Sequence, residues 1–326
     1  MRTWRQIRPG LLGLALLGVV VSAAAVDGQA AERRPAEVVA TTGMIGDLAE
    51  RLGGECFAVH TLMGPGVDPH QYRPAAQDVG RFQRAELILY NGFGLEGQLG
   101  SVLGRLGSMM PTLAVAEEAA EAANSAGHAG AVIRAGDEGS APDPHLWMDV
   151  GLWRSAIDPV ASQLGAVRPD CRDAIATRAA VLEQRFSALD QWIRQAVRSI
   201  PEPRRVLVTA HDAFAYYGRA YAIDVRGIQG VSTTAEAGVA DIRDTAALLV
   251  ERDVPAIFIE STINPRTVQA VRSAAASDGH EIALGGRLYG DALGEADGPA
   301  GDYLGMMRTN TRRIVEALGG RVVDEG

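Results

Sequence analysis

The sequence predicts an α/β protein: two parallel-sheet α/β lobes joined by one long rigid α-helix. Three observations carry this. Strand-like and helix-like stretches alternate over residues 37–116, the pattern of a parallel α/β unit. The alternation resumes at residue 205 and runs to 318. Between the two, Leu182, Phe186, Leu189, Ile193, Val197 and Ile200 recur at three- and four-residue spacing, which is one apolar helical face. Pro169 opens that helix in its first turn, and Pro201 and Pro203 stop it. At ~1.5 Å per residue it spans on the order of 45 Å, more than one compact lobe needs.

The elements follow in order. Strands are expected over 37–41, 57–63, 86–90 and 112–116, with helices over 44–52, 75–84 and 95–106. Residues 117–142 are rich in Ala, Gly, Ser and acid and read as a flexible surface loop. A helix over 152–164 precedes the long one. In the second half, strands are expected over 205–209, 225–228, 256–260 and 281–284. Helices are expected through Phe214 and Tyr217, over 237–252 and 265–277, and over 302–318, the last capped by Asp302 and stopped by Gly319-Gly320. The expected divisions are a signal peptide over 1–25, a first lobe over 36–166, the linking helix over 168–200 and a second lobe over 203–322.

The signal-peptide reading rests on Arg2, Arg5 and Arg8, an uncharged apolar run over 11–21, and Ala23-Ala24-Ala25 as a small-residue cleavage site. The run is short for a membrane span. No cysteine lies near it, so no lipid anchor is expected. Residues 26–36 read as a disordered mature terminus. Cys56 and Cys171 are the two cysteines. Export permits a disulfide, two buried thiols are the alternative, and neither has metal-site spacing.

Apolar residues make up 47% of the chain and charged residues 22%, the composition of a globular protein. All 31 basic residues are arginine, and the formal net charge is −9. That balance disfavours nucleic acid or an anionic membrane as partner.

The tripeptide Asp-Pro-His occurs twice, as Asp68-Pro69-His70 and Asp143-Pro144-His145. Proline fixes its own φ and pushes the preceding residue toward an extended conformation, so each copy is a stiff loop presenting an imidazole. His211 and Asp291 also follow expected strands, in the second half. Ligands of open α/β sheets gather outside the carboxyl ends of the strands. His70, His145, His211 and Asp291 could therefore converge and fill a four-coordinate shell around a divalent cation. His128, alone in the 117–142 stretch, reads as a solvated side chain.

The chain resembles the substrate-binding proteins of bacterial ABC importers for zinc and manganese. The resemblance rests on Gly66-Val67-Asp68-Pro69-His70-Gln71-Tyr72, Asp143-Pro144-His145-Leu146-Trp147, Thr209-Ala210-His211-Asp212-Ala213-Phe214, Phe258-Ile259-Glu260, Leu288-Tyr289-Gly290-Asp291 and Tyr303-Leu304-Gly305-Met306-Met307. It implies two lobes bridged by a helix, with a metal ion held between them by His70, His145, His211 and Asp291 and passed to an inner-membrane permease. It also implies an exported, periplasmic monomer, with a periplasmic metal chaperone as a further partner. Glu260 is expected behind the ligands, bonding a histidine.

Three histidines favour zinc (Zn2+), and a carboxylate binding through both oxygens would admit manganese (Mn2+). Iron is a further alternative. The family's zinc members carry a histidine-rich loop where 117–142 has only His128. A zinc-dependent hydrolase, with Glu260 as base, and a surface adhesin are the rival classes. No catalytic residue is assigned. The long helix implies modest loop movements in preference to wide lobe closure.

Overall fold

A computed structural model describes residues 1–4, 34–128, 130–134 and 140–322. Most of the expected signal peptide and of the 26–36 terminus lies outside the described residues. No helix among the described residues is long and apolar enough to cross a membrane.

The first lobe is built on β1 (Ala36–Thr42), β2 (Phe57–Met63), β3 (Leu87–Tyr90) and β4 (Thr112–Ala114), ordered β2-β1-β3-β4 and parallel throughout. Val38, Val39, Ala40, Leu87, Ile88 and Leu89 are fully buried, as central parallel strands require. α1 (Gly43–Gly53), α2 (Ala76–Arg84) and α3 (Gly97–Leu106) are the crossovers. Residues 117–125 depart from the loop expectation and 115–116 from the expected strand: α4 (Val115–Ser125) is a helix burying Val115, Ala116, Ala119, Ala120 and Ala123. The physical reason is that alanine has the highest helix propensity and, at four-residue spacing, makes a narrow apolar face. Small side chains disguised that period.

The single helix expected over 152–164 is broken. α5 (Val150–Trp153) is N-capped by Asp149, a 3-10 turn covers Arg154–Ala156, and α6 (Ile157–Val167) follows. Pro159 sits in the first turn of α6, where its missing N–H is tolerated. α7 (Arg172–Arg198) is the long helix, 27 residues and ~40 Å at 1.5 Å per residue. Its apolar face, from Ile175 through Phe186 to Val197, is buried. It packs on α1 and α6 of the first lobe and on two helices of the second, α8 (Ala215–Tyr221) and α11 (Tyr303–Ala317). Burial on both sides makes it a rigid bridge.

The second lobe has two parallel pairs, β5 (Val206–His211) with β6 (Asp224–Gln229) and β7 (Ala256–Glu260) with β8 (Ala283–Leu288), and β5 lies against β7. α8, α9 (Val239–Glu251) and α10 (Arg266–Ser277) are the crossovers. β8 begins and ends later than expected because its centre is Gly285-Gly286, residues that usually interrupt strands. A Cβ on Gly285 would stand 2.3 Å from the Phe258 ring, so β8 can press against β7 only as glycine. Asp302 caps α11 by accepting the Gly305 N–H at 2.6 Å.

Cys56 and Cys171 form a disulfide between the turn before β2 and the turn before α7. A native bridge contributes about 2–5 kcal/mol in a small exported domain. Reduction, or the Cys56→Ser/Cys171→Ser pair, should lower the calorimetric melting temperature while leaving cation affinity near wild type. An unchanged melting temperature would contradict a stabilising bridge.

Candidate metal centre

Three of the four candidate side chains sit at the carboxyl end of a strand or beyond it; His145, also expected after a strand, instead follows α4, because the alanine-rich stretch after β4 folds as a helix. His70 lies in the loop after β2, within the 3-10 turn Pro69–Gln71. His145 precedes the 3-10 turn Leu146–Met148, in the connection after α4. His211 is the last residue of β5, and Asp291 stands three residues after β8. The four residues are buried, and one ligand atom from each lies within 4.8 Å of the others.

The distances are those of a coordination shell. His70 Nε2 is 3.3 Å from His145 Nε2 and 3.6 Å from Asp291 Oδ2. His145 Nε2 is 3.3 Å from Asp291 Oδ1, and His211 Nε2 is 3.1 Å from Asp291 Oδ2. A tetrahedron with metal–ligand bonds of 2.0–2.1 Å has edges of ~3.3 Å. Both Asp291 oxygens face imidazoles. Neither accepts a hydrogen bond, although the carboxylate is fully buried. Such a group is costly unless a cation answers it.

Three carboxylates stand behind the histidines. Asp143 Oδ1 accepts the backbone N–H of His145 at 2.9 Å and lies 2.6 Å from its Nδ1. Glu260 Oε1 accepts the backbone N–H of His211 at 2.9 Å, and its Oε2 is 2.9 Å from His211 Nδ1. Asp68 accepts the backbone N–H of His70 at 2.9 Å. Among the described residues, Asp291 is the one carboxylate at ion-pair distance from the His70 ring.

The asymmetry shows in the protonation. Burial pushes His70 down to about 4 against the pull of Asp291. Burial also opposes charge on His145, but Asp143 and Asp291 outweigh it and lift that ring to about 9. His211 is likewise buried, and Glu260 and Asp291 raise it well above the usual imidazole range. Burial would raise Asp291, yet His211 and His145 hold it well below the carboxylate range.

The Asp291 loop is fixed from outside. Trp147 Nε1 donates to the Gly290 carbonyl at 2.9 Å, and Tyr303 Oη donates to the Trp147 carbonyl at 2.7 Å. A Cβ on Gly290 would come within 2.4 Å of Glu260 Oε2, so only glycine lets the loop approach. Glu96, buried in the first lobe, accepts from Thr41 Oγ1 and from the Gly92 N–H. Asn91 Nδ2 in turn holds the Pro144 carbonyl at 3.0 Å, beside His145.

The structure thus brings together all four expected ligands and Glu260. His128 is exposed and is not among the grouped residues. Sequence reasoning did not assign Asp143 or Asp68. The signal for both was the first residue of the repeated Asp-Pro-His, two positions ahead of each imidazole. Trp147 and Gly290 left no local signal of pairing across 143 positions.

Two parallel-sheet lobes, a bridging helix and a buried cluster of three histidines and one aspartate define a metal-binding substrate-binding protein. Residues 38–317 match the family described as ZnuA, zinc-uptake complex component A periplasmic, and the chain belongs to it. Members of this family are components of metal ABC importers. The chain is 40% identical to the manganese-binding lipoprotein MntA of Bacillus subtilis over 86% of its own length and 89% of the relative's. It is 39% identical to the zinc-binding protein TroA of Treponema pallidum over 94% and 96%. The solved structure of periplasmic zinc-binding TroA from Treponema pallidum superposes with a TM-score of 0.82 at 40% identity, covering 88% of this chain and all of that one.

These comparisons correct one expectation. MntA of Bacillus subtilis is named a lipoprotein, so the family includes lipid-anchored members and the expected lack of an anchor does not stand. It rested on a missing cysteine alone, and an absence of that kind does not carry the exclusion.

Replacing an outer-shell partner of a metal-bound histidine costs about 10–100-fold in affinity. Asp143→Asn should therefore weaken cation binding by about that factor in chelator competition. Wild-type affinity in this variant would mean that the ring of His145 needs no such partner.

Proposed function

We propose that the chain binds one divalent cation through His70, His145, His211 and Asp291 and delivers it to the permease of an ABC importer, with zinc as the preferred ion. The observation that carries this reading is the buried Asp291 carboxylate, free of hydrogen bonds and faced by three imidazole Nε2 atoms. Zinc is supported by the nitrogen-rich donor set and by separations close to a tetrahedral edge. The zinc-binding TroA relative, at 39% identity, agrees with it.

Manganese is the second reading, favoured by one specific feature. Asp291 turns Oδ1 toward His145 and Oδ2 toward His70 and His211. A carboxylate set this way can bind through both oxygens and make a five-coordinate shell, which suits a harder ion. The MntA relative is named for manganese. A hydrolase reading is less favoured, because Glu260 is already engaged with the backbone and Nδ1 of His211. Its two oxygens face the backbone N–H and Nδ1 of His211, on the side of that ring away from the Nε2 that meets Asp291.

The mechanism is exchange of protons for a cation. His145 and His211 carry protons at neutral pH in the metal-free cluster, since both titrate above the ordinary imidazole range. An entering cation must displace them. Asp291, held low, stays ionised and supplies the attraction.

Two outcomes test this reading. Elemental analysis of the purified protein followed by zinc–manganese competition should show zinc retained. His211→Glu should lose zinc affinity on the order of 100-fold or more, beyond an outer-shell effect, and lose less for manganese. A wild type that prefers manganese would favour the second reading. Cation affinity should also fall as pH is lowered from about 9 to 6, with about two protons released per ion near neutrality in an indicator-dye titration. A pH-independent affinity would contradict the ligand assignment.

A further inference from the structure

His70 is the ligand nearest solvent. It keeps 6% exposure, whereas His145 and His211 have none and Asp291 has 2%. Among the described residues, no carboxylate orients the His70 ring from behind as Asp143 and Glu260 do for His145 and His211. Its placement depends on its backbone turn, and that turn is made by Asp68, which accepts the His70 N–H on Oδ1. The other oxygen of Asp68 faces the opposite lobe. Thr233 Oγ1 donates to Asp68 Oδ2 at 2.6 Å. Gln71, the residue after His70, donates Nε2 to the same Oδ2 at 3.0 Å and to the Thr233 carbonyl at 3.3 Å.

Thr233 belongs to the irregular segment 230–238, which leaves β6 directly after Gln229, the register partner of His211. Within 230–238 it is the one buried residue, at 6% exposure, and its neighbours Ser232 and Thr234 are exposed. Those neighbours bond each other, with their hydroxyls 3.0 Å apart. Thr233 alone reaches across the cleft. A hydroxyl donating to a carboxylate is a charge-assisted bond, stronger than a neutral one. This one ties a segment rooted beside His211 to the turn that presents His70.

We propose that Thr233 is a positioning residue for cation retention. Its hydroxyl, held by Asp68 across the cleft, keeps the His70 turn closed over the ion and sets how fast the ion leaves. The proposal rests on the metal-binding reading above and adds to it a residue that touches no metal. His70 is the ligand through which the ion enters and departs, because the other three lie deeper. Loss of the bond frees the His70 turn without altering any donor atom, so release quickens and capture changes little.

The test uses the full chain loaded with zinc. Release is followed by stopped flow into excess chromophoric chelator, and capture by mixing the metal-free protein with zinc. Thr233→Val should release zinc about tenfold faster, the effect of losing roughly one such bond, with an association rate within about twofold of wild type. Thr233→Ser, which keeps the hydroxyl, should release at the wild-type rate, and so should Thr234→Val in the same segment. Release from Thr233→Val within about twofold of wild type overturns the proposal. Release from Thr233→Ser as fast as from Thr233→Val also overturns it, because the hydroxyl would then not matter. Should Thr233→Val fold poorly, Gln71→Ala, which removes the second bond to the Thr233 carbonyl, should likewise accelerate release, and an unchanged rate there overturns the idea. A wild-type chain that takes up neither zinc nor manganese would sink the site assignment itself, which is a distinguishable result.

Discussion

A carboxylate buried without a hydrogen bond is the constraint around which this molecule is arranged. Asp291 has both oxygens inside the protein and, among the described residues, no backbone N–H or side-chain O–H turned toward them. Most buried carboxylates are stabilised by such donors, and one left without them is destabilising until a positive charge arrives. The fold supplies that charge as imidazolium protons, and on the proposed reading a metal ion takes their place. Trp147 and the glycine at 290 keep Asp291 from turning away to find another partner. The loop after β2, the connection after α4 and the end of β5 deliver the imidazoles to it.

The three histidines around Asp291 are not equivalent. His145 and His211 are each gripped at backbone and ring by one carboxylate, Asp143 and Glu260. Such double contacts set the ring orientation and make the outward nitrogen a better donor. His70 is gripped at the backbone only, and its surroundings keep it neutral. The cluster therefore combines a rigid base of two histidines and Asp291 with one more weakly restrained ligand at the mouth. That division agrees with a carrier, which must hold an ion selectively and still give it up.

Much of this was legible in the sequence, because the informative features are local. Parallel strands announced themselves as short apolar runs, and β2 and β7 fall at the expected residues. The candidate ligands were visible because His70, His211 and Asp291 follow strands and two of the histidines share a tripeptide. What was hidden depends on contacts between distant residues or on small side chains. The alanine face of α4 carries too little apolar bulk to show a period. β8 is masked by two glycines whose purpose, close approach to Phe258, exists only in three dimensions. Thr233 lies 165 positions from Asp68, and nothing in its own neighbourhood marks it. The aspartates of Asp-Pro-His were in plain view, but their bonds to the following histidine become readable only once the turn is formed.

The disulfide divides the chain in a way the two lobes do not. Cys56 and Cys171 stand 115 positions apart, so the bridge closes a covalent ring that contains both Asp-Pro-His turns. His211, Glu260 and Asp291 lie on the open chain that follows. In the unfolded molecule the ring is restricted, by about 4–5 kcal/mol on the chain-entropy account, and the remainder is not. One half of the cation cluster thus rides on a closed loop, where a single backbone cut leaves the pieces tethered. The other half rides on a free end, where a single cut can separate them. Proteolytic damage to this carrier is therefore unequal by topology, and the His211–Asp291 half is the one that can be lost outright.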